Sequence, residues 1–414
     1  MSPVRQPFPD LVRACALFGI AVVNVDFFAR VALDGVFAGA LVTPLDRLLW
    51  WTVASLFLFK SYSLFSLMFG AGVEQQMRSA SADGAVFVGR YWRRLVGLLA
   101  LGLVNAAFLF FGDILVVYSL LGSALYLFRE SSVRSLRRWA IGLYIVQVLI
   151  ALLLLLSVVA LAAPGAEATA RQTLAESAAE AAQRLAGFAS TDPSVVTEVR
   201  FDAWAADFWW LIILQGVGAL AFMLYGLYTA RSGLLGDPAA PRWSRARRLD
   251  LPVGVLLAVL GGWLMVGSPH HLHPEYMCGF ALVVIGSPFS TMGYLGLIAA
   301  WSQRPPSPLR EFLVRAGGGS LTAYLLQGLM LSLVFSGYGL GLVGKLGAAA
   351  YIPIGAAAAV ISLLFVGWWR GRHALGPVES LLRRWVYLGE RRGADRSDPR
   401  PPAPGPDVDK NDLH

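Results

Sequence analysis

Charge is scarce in this chain: 14% of its 414 residues are Asp, Glu, Lys or Arg, against about 25% in an ordinary soluble domain. Cysteine is scarcer. Cys15 and Cys278 are the whole complement; both lie in or beside apolar blocks and read as small core residues, with no disulfide framework. The blocks also lack the apolar–polar alternation of a transmembrane β-barrel, which excludes that fold. What is there instead is hydrophobic residues, 57% of the chain, gathered in runs of the roughly 20 residues that cross a hydrocarbon core. Inside such a core every backbone N–H and C=O must be bonded within its own segment, which leaves helices. The expected fold class is an all-α integral membrane protein, a bundle of about ten transmembrane helices, with the lipid bilayer as its first partner.

The spans read at about 11–30, 46–74, 94–112, 114–128, 139–162, 207–229, 251–268, 277–300, 316–343 and 350–369. No signal-peptide cleavage site stands out, and Asp10 and Arg13 in the first block mark it as a retained helix. Lys60-Ser61-Tyr62-Ser63 interrupts the second block, which could cross once or twice. With one crossing, Arg78, Arg90, Arg93, Arg94, Arg129, Arg134, Arg137, Arg138, Arg242, Arg245, Arg247, Arg248, Arg304, Arg310 and Arg315 fall on one side. Arg30, Arg47, Arg171, Arg184, Arg200 and Lys345 fall on the other. The positive-inside rule then puts both termini in the cytoplasm. The net charge of +8 is this topology signal, and nucleic acid is not among the expected partners. Residues 1–390 form one transmembrane domain, interrupted by an outer loop at 163–206 with an amphipathic helix from Glu167 to Leu185; the Pro-, Asp- and Arg-rich stretch 391–414 is expected to be a disordered cytoplasmic tail.

Polar residues inside a span are costly, so each is a site candidate. Arg13 and Asn24 are eleven residues apart in the first helix, and Arg94 and Asn105 repeat that spacing in the third. Eleven residues bring both members within roughly 20° of one helix face and separate them by about 16 Å in depth. Each helix thus offers a cation near the cytoplasm below an amide in mid-membrane. The structural alternative is arginines that snorkel to headgroups and amides that join helices. Gly112-Asp113-Ile114-Leu115 forms an abrupt turn after the third helix, followed by Tyr118. Asp113 is a candidate base, and Lys60 is expected to pair with it, either as a structural ion pair or as part of a site.

Arg90-Tyr91-Trp92-Arg93-Arg94 suits phosphates through its guanidinium forks, or anionic lipid. Gly317-Gly318-Gly319-Ser320 opens the ninth span, with Thr322, Tyr324 and Gln327 as substrate-orienting or structural hydrogen-bonding groups. No Walker lysine follows these glycines, so close packing explains them better than a phosphate loop. His270, His271, His273 and Glu275 share a short outer loop whose spacing matches no usual zinc pattern, and no metal is expected.

Several of these segments together resemble the YeiB-like bacterial membrane proteins, a family of unknown function. They are Asp10-Leu11-Val12-Arg13 with Gly19, Ile20 and Asn24; Lys60 to Gly72; Arg93-Arg94-Leu95; Gly112 to Leu115; Leu321 to Gln327; and Gly376-Pro377-Val378-Glu379. That family is similar to a wider superfamily of transmembrane acyltransferases, which includes polysaccharide O-acyltransferases and heparan-glucosaminide N-acetyltransferase. The resemblance implies about ten helices in a bacterial inner membrane and an acyl-CoA co-substrate such as acetyl-CoA on the cytoplasmic side. It also implies an acceptor on the outer side, a sugar, lipid or small metabolite. No permanently bound cofactor is implied, and homo-oligomerisation stays open. Arg13, Arg90, Arg93 and Arg94 would bind the donor; Asn24, Asn105 and Asp113 would do the chemistry. The chain departs from its relatives in carrying Asn24 and Asn105 where a His is common, and Ala323 where Asn is. A neutral amide cannot take a proton at pH 7, which leaves Asp113, or else Asp26 or the His270 group, as base. A transporter or flippase, or a non-catalytic scaffold, is the alternative on the same fold.

Overall fold

The computed structural model describes residues 7–30, 41–82 and 87–388; the tail at 391–414 lies outside them. Among them are sixteen α-helices and no strand. The first half contains α1 (Pro7–Arg30), α2 (Pro44–Leu56), α3 (Lys60–Ala82), α4 (Phe87–Phe108), α5 (Leu115–Tyr126), α6 (Val133–Leu161), α7 (Glu167–Phe188) and α8 (Pro193–Leu211). The second contains α9 (Val217–Arg231), α10 (Pro241–Arg245), α11 (Leu251–Gly267), α12 (Pro274–Ser302), α13 (Pro308–Gly317), α14 (Ser320–Phe335), α15 (Ala348–Arg370) and α16 (Pro377–Val386).

Contacts gather the arginine-rich helix ends at one end of the bundle. Arg231 at the end of α9 pairs with Glu74 of α3 at 2.9 Å and donates to the carbonyls of Ser131 and Arg129 at 2.7 and 2.8 Å. Phe8 of α1 packs edge-on against Trp243 of α10. At the opposite end, Asp46 forms a capping box with Thr43 at the start of α2 and accepts the Ala349 N–H of α15 at 2.7 Å. One carboxylate thus serves two helix N-termini, where a negative charge is favoured.

Seven helices or continuous rods are long and apolar enough to cross a membrane, and an eighth if α13 and α14 count as one span. The expectation of about ten is therefore met only in part. α4 and α5 are the helices that fall short; α5 has 12 residues, about 18 Å at 1.5 Å per residue, too short to cross alone. α13 and α14 meet at 85°, so of the expected span 316–343 only the 16-residue α14 (Ser320–Phe335) is a continuous apolar helix. In the expected loop 163–206, the helix anticipated from Glu167 to Leu185 is present as α7, 22 residues long; the correction lies after it, where a second helix starts at Pro193 and runs into the next span as a rod of 39 residues. That is about 58 Å, roughly twice the hydrocarbon thickness, so the rod carries half its length beyond the core. Arg184 of α7 grips Asp207 of α8 at 2.6 and 2.9 Å. Burial works against the Arg184 charge, but the hydrogen bonds and charge of Asp207 outweigh it and raise the guanidinium pKa.

α3 and α9 cross at close quarters. A Cβ on Gly70 would fall 1.8 Å from the Met223 carbonyl oxygen, and one on Gly226 would fall 1.9 Å from that of Leu67. Only glycine permits such an approach, which is how membrane helices pack when lipid is as apolar as their side chains.

Candidate intramembrane site

Two irregularities in the helices face each other across one cavity. The first separates α2 from α3. Phe57 and Leu58 both donate to the Val53 carbonyl, and Phe59 sits at φ +63°, a left-handed conformation that costs a bulky residue energy. Phe59 is held there by edge contacts to Tyr62 and Phe280, and its carbonyl accepts the Ser63 and Ser287 hydroxyls at 2.5 and 3.2 Å. The second irregularity is a π-helical turn at Ile212–Gly216, of the kind often found at functional sites. Gln147 of α6 stabilises it: its amide nitrogen donates to the Leu214 carbonyl at 2.9 Å, and its amide oxygen accepts the Gly218 N–H at 2.9 Å. Backbone freed from the regular ladder in mid-membrane needs such partners.

The cavity between them has a volume of about 130 Å³, and Asn24, Ser61, Tyr62 and Gln215 contribute its polar groups. Ordinary ligand pockets hold roughly 300–1,000 Å³, so this one is sized for a small group of atoms. Behind Asn24 lies a cavity of about 10 Å³, of the order of one water, bounded also by Asn105, Tyr324 and Gln327. Asn24 belongs to both cavities. Gln327 donates to Ser362 Oγ and the Leu17 carbonyl at 3.0 and 3.3 Å, and its Oε1 has no hydrogen-bond partner.

Asp113 closes the far side of this cluster and is fully buried. Asn105 Nδ2 donates to it at 2.7 Å and the Val116 N–H at 2.9 Å, and the Tyr324 hydroxyl accepts the adjoining Ile114 N–H at 3.4 Å. The Val116 bond makes Asp113 an N-terminal cap for α5. The turn folds inward: a Cβ on Gly102 would fall 2.9 Å from Asp113 Oδ2, so the carboxylate lies beside α4 rather than beyond its end, about 9 Å back from it at 1.5 Å per residue.

Lys60 is not the partner of Asp113. Its ammonium, also fully buried, donates to the Ala54 carbonyl at 3.1 Å. The break in the chain leaves carbonyls of the last turn of α2 without amide partners, and a cation there is favoured by the helix dipole. Tyr118 joins its hydroxyl to Ser66 Oγ at 2.5 Å. Thr322 is a structural group: Glu379 of α16 accepts the Leu321 and Thr322 N–H groups and the Thr322 hydroxyl, at 2.7, 3.1 and 2.5 Å. Glu379 thereby caps α14, whose own cap position, Gly319, has no side chain.

The four arginines divide. Arg93 donates to the carbonyls of Val386 and Leu388, both at 2.8 Å, and Arg90 lies over the Tyr387 ring; both hold the end of the α16 segment. Arg13 pairs with Asp10 at 2.7 Å. Arg94 lies over the Phe69 ring at 5.4 Å, has no carboxylate partner among the described residues, and is close enough to Arg13 for the two charges to repel.

Sequence reasoning did not single out Gln147, Gln215 or Arg200. Arg200 was read as an outer-side charge, yet it is 1% exposed. It donates to the Phe108 carbonyl at 2.7 Å and to Ser332 and Ser336 Oγ at 3.0 Å, tying α8 to the turn that carries Asp113. The intramembrane amides could have been found as Asn24 and Asn105 were, by their cost in an apolar span. Asp26 bonds to the Tyr351 hydroxyl and lines neither cavity. His270 and His273 sit just before α12, where burial and the neighbouring His273 push the His270 pKa down.

Comparison with known proteins bears out the resemblance drawn from the motifs. Residues 229–389 match the model of a family described as a protein of unknown function, DUF418. The chain is 27% identical to the uncharacterized protein YxaH of Bacillus subtilis, over 92% of this chain and 93% of that one. It is 28% identical to the uncharacterized protein YeiB of Escherichia coli, over 91% and 94% of the two chains. No solved structure matches it.

Proposed function

We propose that this YeiB-like, multi-pass membrane protein is an acyltransferase of the bacterial inner membrane, which moves an acyl group from a cytoplasmic acyl-CoA to an acceptor on the outer side. The observation that supports this reading best is the position of Asn24. It lines the 130 Å³ cavity and also meets Asn105, Tyr324 and Gln327, with Asp113 behind them. The donor phosphates sit against Arg94, whose charge no carboxylate offsets, and against Arg13. Arg90 and Arg93, engaged with the α16 segment, contribute less. The acyl group occupies the cavity, whose volume fits a short chain such as acetyl.

The acceptor hydroxyl or amine attacks the thioester carbonyl carbon, the C–S bond breaks, and the coenzyme leaves as a thiolate. The acceptor proton passes through the Tyr324 hydroxyl to Asp113 and from there to the thiolate, so the enzyme ends as it began. The Asn24 amide donates to the carbonyl oxygen as negative charge develops on it, while Asn105 orients Asp113.

A second reading has one observation in its favour. The larger cavity sets a few neutral polar groups in an otherwise apolar wall and is flanked by two helix irregularities, as in transporters that bind solutes near mid-membrane. Incubation of protein reconstituted in vesicles with radiolabelled acetyl-CoA inside separates the two. Formation of free coenzyme A together with a radiolabelled acetylated product on the outside, both lost in Asn24→Leu, supports transfer. Solute flux without acyl donor, with no coenzyme A formed, supports transport and overturns the enzyme.

A further inference from the structure

A cavity larger than the one beside Asn24 lies elsewhere in the described residues. A lateral cleft of about 710 Å³ lies between α6, α9 and α12, with α10 and the π-helical turn Ala246–Asp250 at its mouth. Its walls are apolar over most of their area, with Ile141, Ile145 and Phe289 among them, and its mouth holds Arg137, Arg242 and Arg245. Asp250 offsets Arg242 through a 2.7 Å ion pair. Arg137 and Arg245 are exposed and have no carboxylate partner among the described residues.

The cleft is a built feature. Pro288 inside α12 has no N–H to give the Val284 carbonyl, and the Tyr144 hydroxyl of α6 takes that carbonyl at 2.7 Å instead. The helix runs on unbroken but lacks one backbone bond at the cleft wall, and α6 is tied to it there. The depth also fits one leaflet. From Arg137 at the mouth to Val148 at the inner limit is about 16 Å along α6, half of a roughly 30 Å hydrocarbon core. α6 itself faces outward, with 17% of its apolar window buried.

We infer that this cleft binds an anionic phospholipid of the arginine-rich leaflet, its headgroup phosphate between Arg137 and Arg245 and an acyl chain along α6 and α12. Charge complementarity, an apolar wall and single-leaflet depth coincide here, and the site is separate from the Asn24 cavity. Basic residues beside an anionic headgroup contribute about fivefold each in affinity.

Native mass spectrometry of the full chain in mild detergent, titrated with phosphatidylglycerol or phosphatidylcholine, tests it. The wild type is expected to retain phosphatidylglycerol about 25-fold more readily, and the double variant R137Q/R245Q to lose most of that preference. R134Q/R138Q, whose arginines lie outside the cleft, is expected to keep it. Ile145→Trp, an exposed wall position, should block the cleft and lower retention with every arginine in place; a near-normal melting temperature confirms folding. Equal retention of the two lipids by the wild type, or unchanged retention in R137Q/R245Q, overturns the site. Unchanged retention in Ile145→Trp overturns the cleft and leaves a surface headgroup contact.

Discussion

The first and fourth helices carry the same pattern, an arginine and an asparagine eleven residues apart, yet the two pairs have different surroundings. In α1, Asp10 lies three residues before Arg13 and neutralises it, while Asn24 opens onto the cavity. In α4 the arginine is the one without a carboxylate, and the asparagine is the one engaged, bonded to Asp113. Spacing places a residue at a depth and on a face; the partner it meets there decides what it can do. The α1 pair offers its amide to a ligand and the α4 pair offers its cation.

The contrast can be broken most severely at Asp113. Asp113→Ala leaves the Asn105 amide and the Val116 N–H buried without an acceptor, and a loss of about 3 kcal/mol is expected, read as a lowered unfolding temperature in detergent. Asp113→Asn should keep more of the fold and remove the proton acceptor, abolishing turnover while donor binding persists.

Asn105→Leu and Asn24→Leu sharpen the comparison between the amides. The first should cost about 2 kcal/mol, because it removes a buried hydrogen bond to a carboxylate. The second, at a cavity wall, should change stability by less than about 0.5 kcal/mol yet eliminate acyl transfer. Thermal unfolding measured beside coenzyme A release separates these effects; equal destabilisation would erase the distinction between the two helices.

A smaller effect is expected at Lys60. Lys60→Met removes the cation from the end of α2 and should destabilise by about 1 kcal/mol without altering Asp113, since the two do not pair. A change in activity as large as that of Asp113→Asn would contradict the separation of these groups.

What was legible in the chain follows from the same division between position and partner. Apolar blocks long enough to cross a bilayer declared the membrane helices, and the arginine bias declared which helix ends lie together. The second block forms one candidate span, Pro44–Ser81, whose break falls at residues 57–59 and not at the polar run. Ser61 and Ser63 return their hydroxyls to carbonyls four residues earlier, so those polar residues sit comfortably in helix. The extension of α8 to Pro193 was hidden because its outer half is polar enough to read as a loop. The capping of α14 by Glu379 and the support of the π turn by Gln147 join residues 58 and 71 apart in sequence; such pairings are tertiary and leave no local pattern.

The most direct test of the central claim is titration of acetyl-CoA into the wild type, Arg94→Ala and Arg13→Ala in lipid nanodiscs, followed by calorimetry. Saturable binding that falls about tenfold in Arg94→Ala and less in Arg13→Ala, whose charge Asp10 already offsets, is predicted from the two pairs. No binding by folded wild type, or equal losses in both variants, would contradict it.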